Sequence, residues 1–225
     1  MGFAGLYPHN RTERPDKCVE VISNSVADAG SIPASSTKFK MNAEDWHIPV
    51  SNGNITLRQS LTTMESFKLD QKDIPLIIQL VENPKYDIGI FPGCVDLFTH
   101  DCIHILLGRG VLLKDEAFVI GFTMGCTGRI SQLKQGLFLF ASKYLYPQGY
   151  EFFEEEEQIF RDSIRLPRIM KCKDITSFDF KTYLDKPLSQ IRKELDIDVD
   201  LLSAYYKIEK RNNMGSKECR RLLKF

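Results

Sequence analysis

Two histidines four apart, an aspartate beside the first and a glutamate twelve residues past the second form the chemically richest stretch of this chain: His100, Asp101, His104 and Glu116. Imidazole and carboxylate donors at about 2.0–2.2 Å suit zinc, and two imidazoles with carboxylates also suit iron or manganese. On a helix of about 3.6 residues per turn, positions 100 and 104 stack on one face, and Asp101 borders it. Cys102, about 200° round the helix from His100, points away. One continuous helix would leave Glu116 about 18 Å along the axis from His104, so sharing an ion requires the chain to reverse. Gly108-Arg109-Gly110 lies where that reversal is needed, because glycine readily takes the left-handed conformation past a helix end. A bare histidine pair is more often a plain helix face. Two acids and two glycines at the bend tip the balance towards a metal site.

The elements that must position these groups are helical. Val95, Leu97, Phe98, Ile103, Leu106 and Leu107 give the histidine helix apolar surface on much of its circumference. Asp115 and Glu116 open the next helix, where carboxylates in a first turn also gain about 0.3–1 kcal/mol from the macrodipole. Gly121 and Gly125 make a ridge of small residues on it, read first as close helix packing and second as a slot for a thin apolar chain. A helix over 130–146 carries Ile130, Leu133, Leu137, Phe140 and Tyr144 at helical spacing, widened by Phe138, Leu139 and Leu145. That stripe reads as a central core helix or as the apolar wall of a pocket. Upstream, Asp73 and Pro75 begin a helix that ends at Asn83-Pro84. Downstream, Glu154 to Glu157 read as a solvated helix start, with Glu157 and Arg161 a favourable pair. Two short amphipathic helices follow, the second turning Leu201, Leu202, Tyr205 and Ile208 inward.

His-Asp-x-x-His, eleven residues, then Glu resembles the signature of the coenzyme Q biosynthesis protein four family, over roughly residues 64–206. The resemblance implies a mainly helical protein with His100, Asp101, His104 and Glu116 as ligands to a divalent metal, zinc foremost, with magnesium, iron or manganese as alternatives. It implies a neighbouring site for a polyprenyl lipid or prenylated quinone precursor, for which Phe122, Leu133, Leu137, Phe140 and Tyr144 are the candidate contacts and Arg109 a candidate for an anionic head group. It also implies a part in replacing the ring C1 carboxyl by hydroxyl, as a metal-dependent oxidative decarboxylase or by presenting the precursor to other quinone-biosynthesis enzymes at a membrane surface. A homodimer is expected. Two other readings stay open. His-Asp-x-x-His echoes the zinc-hydrolase pattern H-E-x-x-H, with aspartate one methylene short of the usual base. A non-catalytic lipid-binding scaffold, held together by the ion, is the other.

The bulk composition sets the frame. At 225 residues the chain can bury one good core, so the expected fold is an all-α, single-domain orthogonal helical bundle spanning 64–208. Thirty basic and thirty acidic residues cancel, leaving no global field for nucleic acid. The six cysteines are scattered, as in a reducing compartment. Neither a signal peptide nor an apolar run of about 18 residues is visible, so the expectation is a cytoplasmic protein, peripheral to a membrane. Residues 1–63, rich in Ser, Asn, Pro and Gly, read as poorly structured, with Trp46 either docked or exposed and His9 and His47 solvent-facing. Gly30 to Thr37 can be encoded by the T-arm and acceptor end of a transfer RNA gene, which suggests a true start at Met41 or Met64. Residues 209–225 read as a basic tail with weak attraction to an anionic bilayer.

Overall fold

The computed structural model describes residues 45–64 and 91–223. Within them every regular element is a helix, with no strand and a single isolated bridge between Thr56 and Pro187. The helices are α1 (Leu57–Met64), α2 (Leu97–Leu107), α3 (Leu113–Cys126), α4 (Gln132–Tyr144), α5 (Glu154–Met170), α6 (Leu188–Glu194), α7 (Val199–Asn212) and α8 (Lys217–Arg221). Two 3₁₀ turns, Ile175–Ser177 and Phe180–Tyr183, connect α5 to α6. The helix expected from Asp73, the segment Gly30 to Thr37, and His9 lie outside the described residues.

Helix α3 is the axis of the fold. Its most extensive partner among the described helices is α5, and the glycine ridge explains why. A Cβ on Gly121 would sit 2.6 Å from the Phe160 carbonyl oxygen, and one on Gly125 would sit 2.4 Å from that of Ile164. The ridge is therefore closed by backbone, and the lipid-slot reading of these glycines fails. At the opposite end, Lys114 on α3 reaches Glu156 on α5 at 2.9 Å. Glu156 is buried, so the acidic run is not a uniformly solvated face, and Glu157 lies near Lys143 at 3.7 Å.

The structure differs from the sequence reading at both termini. Residues 45–63 belong to the core: Trp46 and Leu57 are fully buried, and the Trp46 ring N–H donates to Thr63 Oγ1 at 2.8 Å. A chain begun at Met64 would lack this part of the core. The C-terminal basic segment is likewise built in, since Glu209, Cys219, Arg221 and Leu222 are all buried. Glu209 and Arg221 find partners in the interior, Arg109 and Asp115, while Arg211, Lys217 and Arg220 stay exposed.

The aromatic helix is the clearest reversal. In α4 the buried residues are Phe138, Leu139, Ala141 and Ser142, with Phe138 stacked on Phe160 at 4.8 Å and edge-on to Phe91 at 5.6 Å. The stripe expected to be core points outward: Leu133, Leu137, Phe140 and Tyr144 are 82, 45, 55 and 64% exposed. Periodicity says which residues share a face, and the aromatic partners around Phe138 decide which face turns in. In α7 the register is one residue off, with Leu202, Tyr206 and Glu209 inward and Ile208 outward.

Candidate metal centre

Helix α2 starts where Asp96 caps it, its side chain accepting from the Thr99 N–H at 2.8 Å. It stops at Gly108, whose φ of 69° is left-handed and whose N–H returns to the carbonyls of His104 and Ile105. No side chain fits there: a Cβ would lie 2.7 Å from Val50 Cγ1. The chain turns through Arg109 to Val111 and re-enters a helix at Leu113, with the Asp115 carboxylate accepting from the Leu112 N–H at 3.1 Å. This hairpin brings the first turn of α3 back beside the histidine turn of α2.

His100, His104 and Glu116 consequently converge, each offering a ligand atom within 4.8 Å of the others. His100 Nε2 is 3.1 Å from His104 Nε2, and each imidazole faces a different Glu116 oxygen at 3.3 Å. Ligands at about 2.1 Å from an ion stand about 3.0 Å apart at octahedral right angles and about 3.4 Å apart at tetrahedral angles. The nitrogen–nitrogen edge falls between these two values, while the two nitrogen–oxygen contacts reach opposite oxygens of Glu116, so the cluster has the donors for a small divalent ion, zinc or an octahedral metal alike.

The protonation pattern agrees with that role. His104 Nδ1 lies 2.6 Å from the Gly110 carbonyl oxygen, which can only accept, so Nδ1 carries a proton and Nε2 is the ring atom turned to the site. Metal-ligating histidines are commonly fixed by such a second hydrogen bond. Burial opposes ionisation of Glu116, but the facing His104 and His100 rings hold its carboxyl well below the usual carboxylate range. Exposure is graded. The His104 side chain is 2% exposed while those of His100 and Glu116 are 21 and 29%, so the site is anchored inside and open on one side.

Asp101, the fourth expected ligand, is buried but is not part of this convergent set. It follows His100 by one position, about 100° round the helix, which sends its carboxylate off the shared face. Arg109 is the second departure. Expected as a head-group contact, it is fully buried, 3.8 Å over the Phe118 ring and 4.4 Å over Tyr206. Its Nη1 donates to Glu209 at 2.8 Å and its Nη2 to the other oxygen of the same carboxylate. Asp115 lies 3.8 Å away and is paired in turn with Arg221. A guanidinium enclosed this fully, with both Nη atoms on Glu209, is out of reach of a head group at the surface.

Sequence reasoning missed this second layer: Arg109, Asp115, Glu209 and Arg221 pin the 109–112 turn, and the turn supplies the carbonyl that orients His104. An arginine set between two glycines was the available hint. Its partner stands one hundred positions away. Phe122 is fully buried in the core, stacked 6.1 Å from Phe118, while Leu133, Leu137, Phe140 and Tyr144 lie on the outer face of α4. The five proposed lipid contacts thus do not share one surface.

Fold and site together define an all-helical protein whose two-histidine, one-glutamate cluster has the donors and spacing to hold a divalent metal. Comparison with family models, with curated proteins and with solved structures finds no match to this chain.

Proposed function

We propose that this chain is a metal-dependent protein that binds a divalent ion through His100, His104 and Glu116. The observation that carries the reading is the convergence of three ligand atoms, with His104 Nδ1 held by the Gly110 carbonyl and its Nε2 turned to the cluster. Two imidazoles and one carboxylate leave coordination positions free, and the exposed side of the cluster is where a substrate oxygen would enter. An ion held there would act as a Lewis acid towards a carboxylate or acidify a bound water. His104 and the Gly110 carbonyl keep one ligand rigid; His100 and Glu116, partly exposed, face the substrate side.

The substrate class rests on the signature His100-Asp101-x-x-His104 with Glu116, which resembles that of the coenzyme Q biosynthesis protein four family. On that basis the ligand is a polyprenyl lipid or prenylated hydroxybenzoate, and the role is removal or replacement of the ring carboxyl or its presentation to partner enzymes. The outer face of α4 supports work at a membrane surface. Residues 127–150 hold Arg129, Lys134 and Lys143 and no acid, around the exposed Leu133, Leu137, Phe140 and Tyr144. Three cations near an anionic bilayer contribute about 1 kcal/mol each. No described helix is long and apolar enough to cross a membrane.

The test is metal titration of chelator-treated protein, with wild type expected to bind about one zinc or manganese ion per chain. His104→Ala and Glu116→Gln are expected to lose at least tenfold in affinity while keeping their helical circular dichroism. Equal affinity in folded variants would remove the site. The substrate reading has its own assays: mass spectrometry of copurifying lipids, and turnover of a prenylated hydroxybenzoate by wild type and His104→Ala. Flotation with phosphatidylglycerol vesicles, lost in Leu137→Ser/Phe140→Ser, checks the membrane face; a dimer that dissociates in this variant, without flotation of the wild type, would assign the face to a second copy instead.

A further inference from the structure

The far end of α3 carries a pair of sulfur atoms that the metal site does not use. Cys126, the last residue of α3, has its Sγ 3.8 Å from that of Cys172, which follows the left-handed end of α5 at Lys171. The two thiols form a directed chain: Cys126 donates to Cys172, and Cys172 donates to the Leu195 carbonyl at 3.1 Å. That carbonyl also accepts from the Lys173 N–H at 3.0 Å, so Cys172 is held from both sides. Cys126 is buried and Cys172 is half-buried, flanked by the exposed Lys171 and Lys173.

We propose that Cys126 and Cys172 form a reversible intramolecular disulfide by exchange with a low-molecular-weight disulfide, Cys172 being the entry thiol and Cys126 the resolving one. Cys172 gives its proton to water and its thiolate attacks one sulfur of the small disulfide, whose S–S bond breaks and releases one thiolate; each released thiolate takes a proton back from water. Cys126 gives its proton to water, attacks Cys172 Sγ, and expels the second small thiolate. Two protein thiols are oxidised by two electrons, and one small disulfide is reduced to two thiols.

The geometry suits this order. Only Cys172 meets solvent enough for the first encounter. The sulfurs must close from 3.8 Å to about 2.05 Å, which side-chain rotation at two helix ends supplies more readily than it would in mid-helix. The hydrogen bond to Cys172, then burial, push the Cys126 thiol well above its ordinary range, which keeps it from being the first to react. The bond would span 46 positions and staple the end of α3 to the end of its main packing partner α5. Glu116 lies ten residues along α3, about 15 Å away, so the outcome is independent of the metal reading.

The experiment treats the reduced full-length protein with oxidised glutathione, blocks remaining thiols by alkylation, and maps peptides without reduction. A cross-linked pair containing Cys126 and Cys172, removed by dithiothreitol, is expected in wild type. Cys126→Ser is expected to keep a persistent glutathione adduct on Cys172, since nothing resolves it. A persistent adduct on Cys172 in wild type, with no cross-link, would overturn the proposal. So would a Cys172 that stays unmodified in a large excess of oxidised glutathione.

Discussion

Replacing Glu209 by glutamine tests whether a buried ion pair holds the turn that orients His104. Glu209 is 2% exposed and grips Arg109 through both oxygens, while Arg109 is fully enclosed between Phe118 and Tyr206. The wider cluster balances Arg109 and Arg221 against Asp115 and Glu209. Glutamine keeps the shape but loses the charge and turns an N–H₂ towards an N–H₂. Removing one partner of a buried pair costs about 3–5 kcal/mol. Asp115 remains 3.8 Å from Arg109, so the lower end, about 3 kcal/mol, applies. In a chain of 225 residues that lowers the melting temperature by about 6–12 °C. Urea denaturation followed by fluorescence of Trp46, the only tryptophan and fully buried, reads the loss directly. Arg109→Met with Glu209→Leu removes both charges from an aromatic cage and is expected to recover most of it. A Glu209→Gln variant within 1 kcal/mol of wild type, or a double variant less stable than the single one, would refute the assignment.

Other outcomes follow from the same packing. Arg192 is buried and donates to the Leu106 carbonyl at 2.8 Å and the Val50 carbonyl at 2.7 Å, tying α6 to the end of α2 and to the N-terminal segment. Arg192→Ala strands both acceptors and is expected to cost about 2–4 kcal/mol in a urea melt. Burial, then the neighbouring Glu209 carboxylate, push the Cys219 thiol up from 9.0 to about 12. Its contribution to stability is present below about pH 9 and is lost as pH rises towards 12, because the unfolded chain ionises first. Denaturation of wild type against Cys219→Ala across that range should converge by up to roughly 1.4 kcal/mol per pH unit, and iodoacetamide at pH 8 should spare Cys219 until the protein unfolds.

The hairpin and the three side chains that converge at it were legible in the chain because each step is local. An i,i+4 pair fixes a helix face, a glycine past the helix end fixes where the chain turns, and the residue count returns Glu116 level with the histidines. The all-helical class was legible for the same reason, since periodicity is a property of short windows. What failed was whatever depends on a partner distant in sequence. The face of α4 that turns inward was settled by Phe91, Phe152 and Phe160 closing round Phe138. The burial of Arg109 required Glu209, brought up by a helix one hundred residues later, to offset the desolvation of its charge. Residues 45–63 looked too polar to fold, yet Trp46, Ile48, Val50 and Leu57 fill the core. Sequence by itself determined the donors and the spacing that lets them meet; only tertiary structure decided which side chains lose their water, because desolvation is a property of everything that surrounds a group and not of its neighbours along the chain.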